Sequence, residues 1–110
     1  MSVKFVNLTL HDIAIRVNDD VERVIPPSGQ TAYVAIEESN APTIDGVPVI
    51  VARTGDIVGL PDPAPDTIYV VSMPTAQAAR RPDVVSPDSG PTAVREAGRI
   101  VAVRRLRTFV

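Results

Sequence analysis

The sequence predicts a mainly β domain, β-rich α+β in class, forming a single compact small barrel or sandwich of short antiparallel strands with one short helix near residues 73–81. Three observations lead there. Val, Ile and Thr number 18, 9 and 8 against only 4 Leu, and β-branched side chains suit a pleated surface better than a helix. Short apolar runs are separated at close intervals by Gly, Pro, Asn and Asp, the punctuation of hairpins. A length of 110 residues without cysteine fits one domain, 1–110, that buries a core without metal or disulfide staples.

Taken in order, Lys4 to Leu8 alternates imperfectly, and Ile13, Ile15 and Val17 share one face of a second run. Asn18-Asp19-Asp20 reads as a hairpin turn that pairs this run with Val21 to Ile25. Pro26-Pro27-Ser28-Gly29 breaks the chain, and Thr31 to Ile36 resumes as strand. Ile44-Asp45-Gly46-Val47 carries an Asp-Gly turn signal, Val47 to Arg53 is a strand, and Thr54-Gly55-Asp56 turns into Ile57-Val58-Gly59. From Leu60 to Asp66 a proline stands at every second position, which makes an extended surface connector. Thr67 to Ser72 is nearly all apolar and belongs in the middle of a sheet. Ser72 as N-cap, Pro74 in the first turn and the stop at Pro82 frame the helix, with Arg80 and Arg81 at its C-terminal end. Asp83 to Ala97 reads as loop, and Arg99 to Arg107 as a last strand, for about eight or nine strands in all.

The net charge of -2 conceals a division. Residues 1–79 carry ten acids against four bases, whereas residues 80–110 carry seven arginines against three acids. Ten of the eleven bases are arginine, whose planar fork suits bidentate recognition of carboxylate or phosphate. High-GC codon usage accounts equally well for the overall bias, but not for the clustering.

Most enzymes fall away on composition. With His11 the only histidine and no cysteine, a zinc site lacks ligands, and a lone histidine at a strand end is more often structural than a general base. Ser28 lacks the strand-to-helix setting of a nucleophile elbow, and no glycine pattern matches a phosphate-binding loop of the Walker or Rossmann kind. No catalytic residue, metal or cofactor is therefore expected. The longest uncharged stretch, Val24 to Ile36, is broken by Pro26, Pro27 and Gly29, so no membrane helix is expected. No secretory signal is visible after Met1, which makes a cytoplasmic location in a bacterial host the simplest expectation.

The stretch Ser86 to Arg95 is the most informative. Ser89, Gly90, Thr92 and Arg95, with Arg81 shortly before, combine hydroxyls, a turning backbone and guanidinium groups, which together can hold a phosphate. It also reads as an ordinary surface turn whose Asp88 and Ser89 satisfy their own backbone. A nucleic-acid polymer fits less well than a small anion, because the chain is acidic overall and has four scattered aromatics.

The opening Val6 to Ile13, the turn Ile25 to Gly29, the run Gly59 to Ser72 and the close from Arg81 through Ser86-Pro87-Asp88 to Arg95 together resemble a family of small proteins found in bacteriophages and actinobacterial genomes. The resemblance covers nearly the whole chain and implies an origin and a size class; it assigns no catalytic residue. Two departures stand out. Leu10 replaces the proline of Asn-Leu-Thr-Pro-His, and Arg81-Pro82-Asp83 replaces Gly-Arg-Asp, which loosens the expectation of a fixed Arg81–Asp83 pair. Among small phage proteins the seven arginines suit a sponge best: a non-enzymatic homo-oligomer that sequesters a phosphate-bearing, nucleotide-like signal of bacterial immunity. In that reading Arg81, Ser89, Gly90, Thr92 and Arg95 hold phosphate, Tyr33 or Tyr69 stacks on a base, and His11 touches a polar edge. The alternative is a structural or interaction module, a virion component or host-protein inhibitor, that uses the basic C-terminal third.

Overall fold

A computed structural model describes residues 2–110. The chain is mainly β, with strands β1 (Lys4–Asn7), β2 (Ile13–Asn18), β3 (Val21–Ile25), β4 (Tyr33–Ile44), β5 (Val47–Val58), β6 (Thr67–Val70), β7 (Val84–Pro87), β8 (Val94–Glu96), β9 (Arg99–Ala102) and β10 (Leu106–Thr108), and one helix, α1 (Met73–Ala79). These form no closed barrel. A four-stranded sheet in the order β1-β6-β7-β10 is accompanied by three two-stranded ribbons, β2-β3, β4-β5 and β8-β9.

The expected all-antiparallel pattern fails in the central sheet, where β6 pairs in parallel with both β1 and β7 and only β10 runs antiparallel. Parallel strands are usually buried on both faces, and β6 is: Tyr69 and Val70, with the following Val71, are almost fully enclosed. The main core gathers Leu8, Ala32, Tyr69, Val71, Ala76 and Val84, with Val6, Leu60, Ala79 and Phe109 against it. A second cluster joins Ile15, Ile25 and Val103, with Phe5, Ile13 and Leu106 at its edge. Val17, expected beside Ile13 and Ile15, is exposed; it lies where the β2-β3 register slips, between Ile15 and Asn18.

The segment expected as loop from Asp83 to Ala97 contains β7 and β8, and the single strand expected from Arg99 to Arg107 is two, interrupted at Arg104-Arg105. Both differences arise because pairing partners distant in the chain, not local pattern, decide these strands: β7 lies between β6 and β10. The helix starts where expected but ends at Ala79, with Arg80 in the left-handed conformation as its C-cap; Arg80 and Arg81 follow the helix instead of completing its last turn.

The β4-β5 ribbon is the longest element. Its Asp45-Gly46 tip has φ of 49° and 76°, both positive as a type I′ turn requires. Thr54-Gly55-Asp56, expected as a turn, is a bulge within one continuous strand, since Val34 pairs with Ile57 and Ile36 with Thr54. At the root, Gly59 has φ of 86°, and a Cβ there would collide with the Thr31 carbonyl oxygen. The ribbon projects as an arm: no residue from 33 to 58 is buried, and the radius of gyration is 16.6 Å against about 13 Å for a compact chain of this length.

Candidate functional site

Asn7, Thr9 and Ser28 serve first as staples. Asn7, 1 % exposed, donates through Nδ2 to the carbonyls of His11 (2.8 Å) and Ile25 (2.9 Å), while its Oδ1 accepts from the backbone and hydroxyl of Thr9. The Asn-Leu-Thr-x-His opening thus sets the path of the chain from β1 into β2. Ser28 answers from the Pro-Pro-Ser-Gly turn, donating both its N–H (2.9 Å) and its hydroxyl (2.8 Å) to the Asn7 carbonyl.

The predicted phosphate cradle is partly occupied by the protein's own groups. Arg81 donates to both carboxylate oxygens of Asp83 (3.0 and 2.6 Å) and to the Pro61 carbonyl (3.1 Å), so the two residues form a bidentate pair. The side-chain hydrogen bond to Arg81 holds Asp83 below its ordinary pKa, and the same bond raises that of Arg81. Arg95 donates to the carbonyls of Gly90 (3.2 Å) and Ser89 (3.1 Å), so Ser89, Gly90 and Arg95 do come together. Thr92 is exposed in the same loop.

An anion does sit at the Gly90 amide, and it is Asp88. This carboxylate, buried at 1 % exposure, accepts from Arg105 Nε, from the Gly90 N–H (3.2 Å) and from Arg107 (3.4 Å). The Arg105 hydrogen bond, then the Gly90 amide, lower its pKa to about 2 in spite of burial. Tyr69 is 5 % exposed in the core, its hydroxyl donating to the Asp62 carbonyl (3.0 Å), so it offers no free ring face for stacking. His11 and Tyr33 line one hollow of about 390 Å³ at the root of the arm with Leu8, Thr9, Leu10, Thr31, Ala32 and Ser72; no lysine or arginine lines it.

The cavity that does combine cations with apolar surface lies elsewhere. A groove of about 590 Å³ is lined by Phe5, Ile15, Val17, Val21 and Leu106 together with Asn18, Arg23, Arg104 and Arg105. Register builds it: Arg23 lies directly opposite Ile15 in the β2-β3 ribbon and so shares its face. Its guanidinium stands 4.8 Å from the centroid of the Phe5 ring, within cation–π range. Arg104 reaches back to the Arg16 carbonyl (3.3 Å) and the Asp19 carboxylate (3.0 Å). Each guanidinium has five N–H donors, so Arg104 and Arg105 keep donors for an incoming anion.

Sequence pattern alone missed Phe5 and Arg23, since nothing local links them to Arg104. The sequence did bring Arg104 and Arg105 into view, but only as part of a basic segment. Compared with known proteins, the chain matches no family model, and no curated protein or solved structure matches it either. No helix among the described residues is long and apolar enough to cross a membrane.

Proposed function

We propose that this is a non-enzymatic binding protein that sequesters a phosphate-bearing small molecule of nucleotide type, held in the groove lined by Phe5, Arg23, Arg104 and Arg105. The observation that supports this reading is the pairing in one cavity of three guanidinium groups with an aromatic ring and aliphatic side chains. Its volume falls in the range of small-molecule sites, and the combination matches a ligand with an anionic end and a flat apolar end. Compared with the sequence-based expectation, the phosphate contacts move from Arg81 and Arg95 to Arg104 and Arg105. Arg105 is held at its Nε by Asp88. A phage origin, implied by the resemblance, makes the nucleotide-derived signals of bacterial immunity the first ligands to test.

Thermal denaturation against a panel of nucleotides and cyclic nucleotides tests the proposal. A ligand at 100 times its Kd stabilises by about 2.7 kcal/mol. The gain should shrink in Arg23→Gln and Arg104→Gln, and the ligand should be recovered chemically unchanged. No shift with any member of the panel overturns the reading. The second reading, a module that meets an acidic protein surface, draws on Arg80 and Arg99, both exposed and without an ion pair among the described residues.

A further inference from the structure

The hydrogen-bonding side chains that line the arginine groove are Asn18, Arg23, Arg104 and Arg105, and no carboxylate stands among them. A guanidinium group only donates. The one side-chain acceptor, Asn18 Oδ1, already takes the Asp20 N–H at 3.0 Å. The side chains therefore meet a ligand with donors, and a ligand pairs with them by offering acceptors.

Arg23 differs from the other two guanidinium groups. Arg104 donates to the Arg16 carbonyl and the Asp19 carboxylate, and Arg105 donates to Asp88. Arg23 makes no side-chain hydrogen bond among the described residues and no ion pair there. It is held by its plane instead, with its guanidinium carbon 4.8 Å from the centroid of the Phe5 ring. Stacking leaves the N–H groups at the edge of that plane unused, and they form the fork that fits two neighbouring acceptors.

We infer that the groove selects guanine over adenine, with Arg23 donating to O6 and N7 of the base while Arg104 and Arg105 meet the phosphate. This preference rests on the nucleotide reading of the groove and narrows it. Guanine offers two adjacent acceptors on that edge, whereas adenine has an amino donor in place of O6. That donor would face a guanidinium with no acceptor to receive it, and an unmet polar group weakens binding. An amide side chain reads adenine with its oxygen and its nitrogen together; Asn18 is the only amide in the groove, and its oxygen is engaged. The phosphate falls to the other two arginines because they are consecutive in the chain and concentrate positive charge on one wall, while Arg23 comes from β3.

Calorimetric titration of the full chain with four mononucleotides tests this. GMP and inosine monophosphate, which keeps O6 and N7 but lacks the exocyclic amine, should bind with similar affinity. AMP and 7-deazaguanosine monophosphate, which lacks N7, should bind at least about tenfold more weakly, the discrimination that a bidentate arginine–guanine pair provides. These comparisons use the unaltered protein and do not depend on how a variant folds. Arg23 is exposed, and Arg23→Gln should bring GMP and AMP to similar affinity, since glutamine pairs with adenine. Arg104→Gln should weaken both by the same factor and leave their ratio unchanged. AMP bound as tightly as GMP overturns the preference and leaves the nucleotide reading standing, whereas binding of none of the four overturns both. A guanine preference that survives Arg23→Gln also overturns the inference, because another group would then be reading the base.

Discussion

In the body of this protein, strand ends are tied by polar side chains: Asn7 joins β1 to the turns that follow it, Ser28 closes on the Asn7 carbonyl, Asp88 gathers Arg105 and Arg107, and the Thr108 hydroxyl reaches the carbonyls of Arg81 and Val84. The arm, residues 33–58, makes no side-chain hydrogen bond or ion pair among the described residues and buries no side chain fully. Its shape comes from the backbone ladder, the Asp45-Gly46 turn and the clamp at Gly59. Similar strand-forming residues thus yield two kinds of β structure, one fixed by its interior and one fixed only at its two ends. That difference identifies which substitutions the fold will feel most and which least.

The sharpest test is at the clamp, where body and arm meet. Gly59→Ala forces a side chain into the Thr31 carbonyl at a φ that L-residues avoid, and it should cost about 3 kcal/mol or more in a urea titration. A loss below about 1 kcal/mol would mean that the arm root yields and that the two regions are not rigidly joined.

Next comes Asp88→Asn in the body. Its carboxylate is depressed to about 2 in the folded state, against an ordinary value of about 3.9. The stabilisation it provides is therefore complete above about pH 4 and fades as the pH falls toward 2. Urea midpoints measured from pH 5 downward should fall more steeply for the parent chain than for the variant; parallel curves would show that Asp88 is not tied more tightly than any surface acid.

Smallest of all is Ile50→Ala on the arm, expected to change stability by no more than about 0.5 kcal/mol. A larger loss by the same titration would mean that the arm packs on its own body, and the contrast between the two regions would disappear.

Much of the local structure was legible in the residues. The Ile13–Ile25 hairpin, the Asp-Gly turn, the proline-rich connector, the central strand at Thr67 and the start of the helix at Ser72 each follow from short-range chemistry, and each appears close to where it was expected. What was not legible depends on partners far apart in the chain. Asp88 meets Arg105 and Arg107 only after β10 has paired with β7, and Arg104 finds Asp19 across nearly the whole sequence. Seven clustered arginines therefore pointed to an external anion, when five of them donate hydrogen bonds to the protein's own oxygens. The groove escaped notice for the same reason, since Phe5 and Arg23 come from the opposite end of the chain.

The parallel pairing of β1 with β6, which sets Lys4 beside Thr67, also has a meaning in time. Contacts so distant along a chain form slowly, because the intervening loop must close first. A hairpin closes in microseconds, and the β4-β5 ribbon brings Tyr33 beside Val58, removing about two-fifths of that intervening length from the search. The segment that adds least to the finished core thus shortens the loop that the core must close. Shortening the arm would leave that advantage in place, whereas weakening its turn would slow the folding of the whole body.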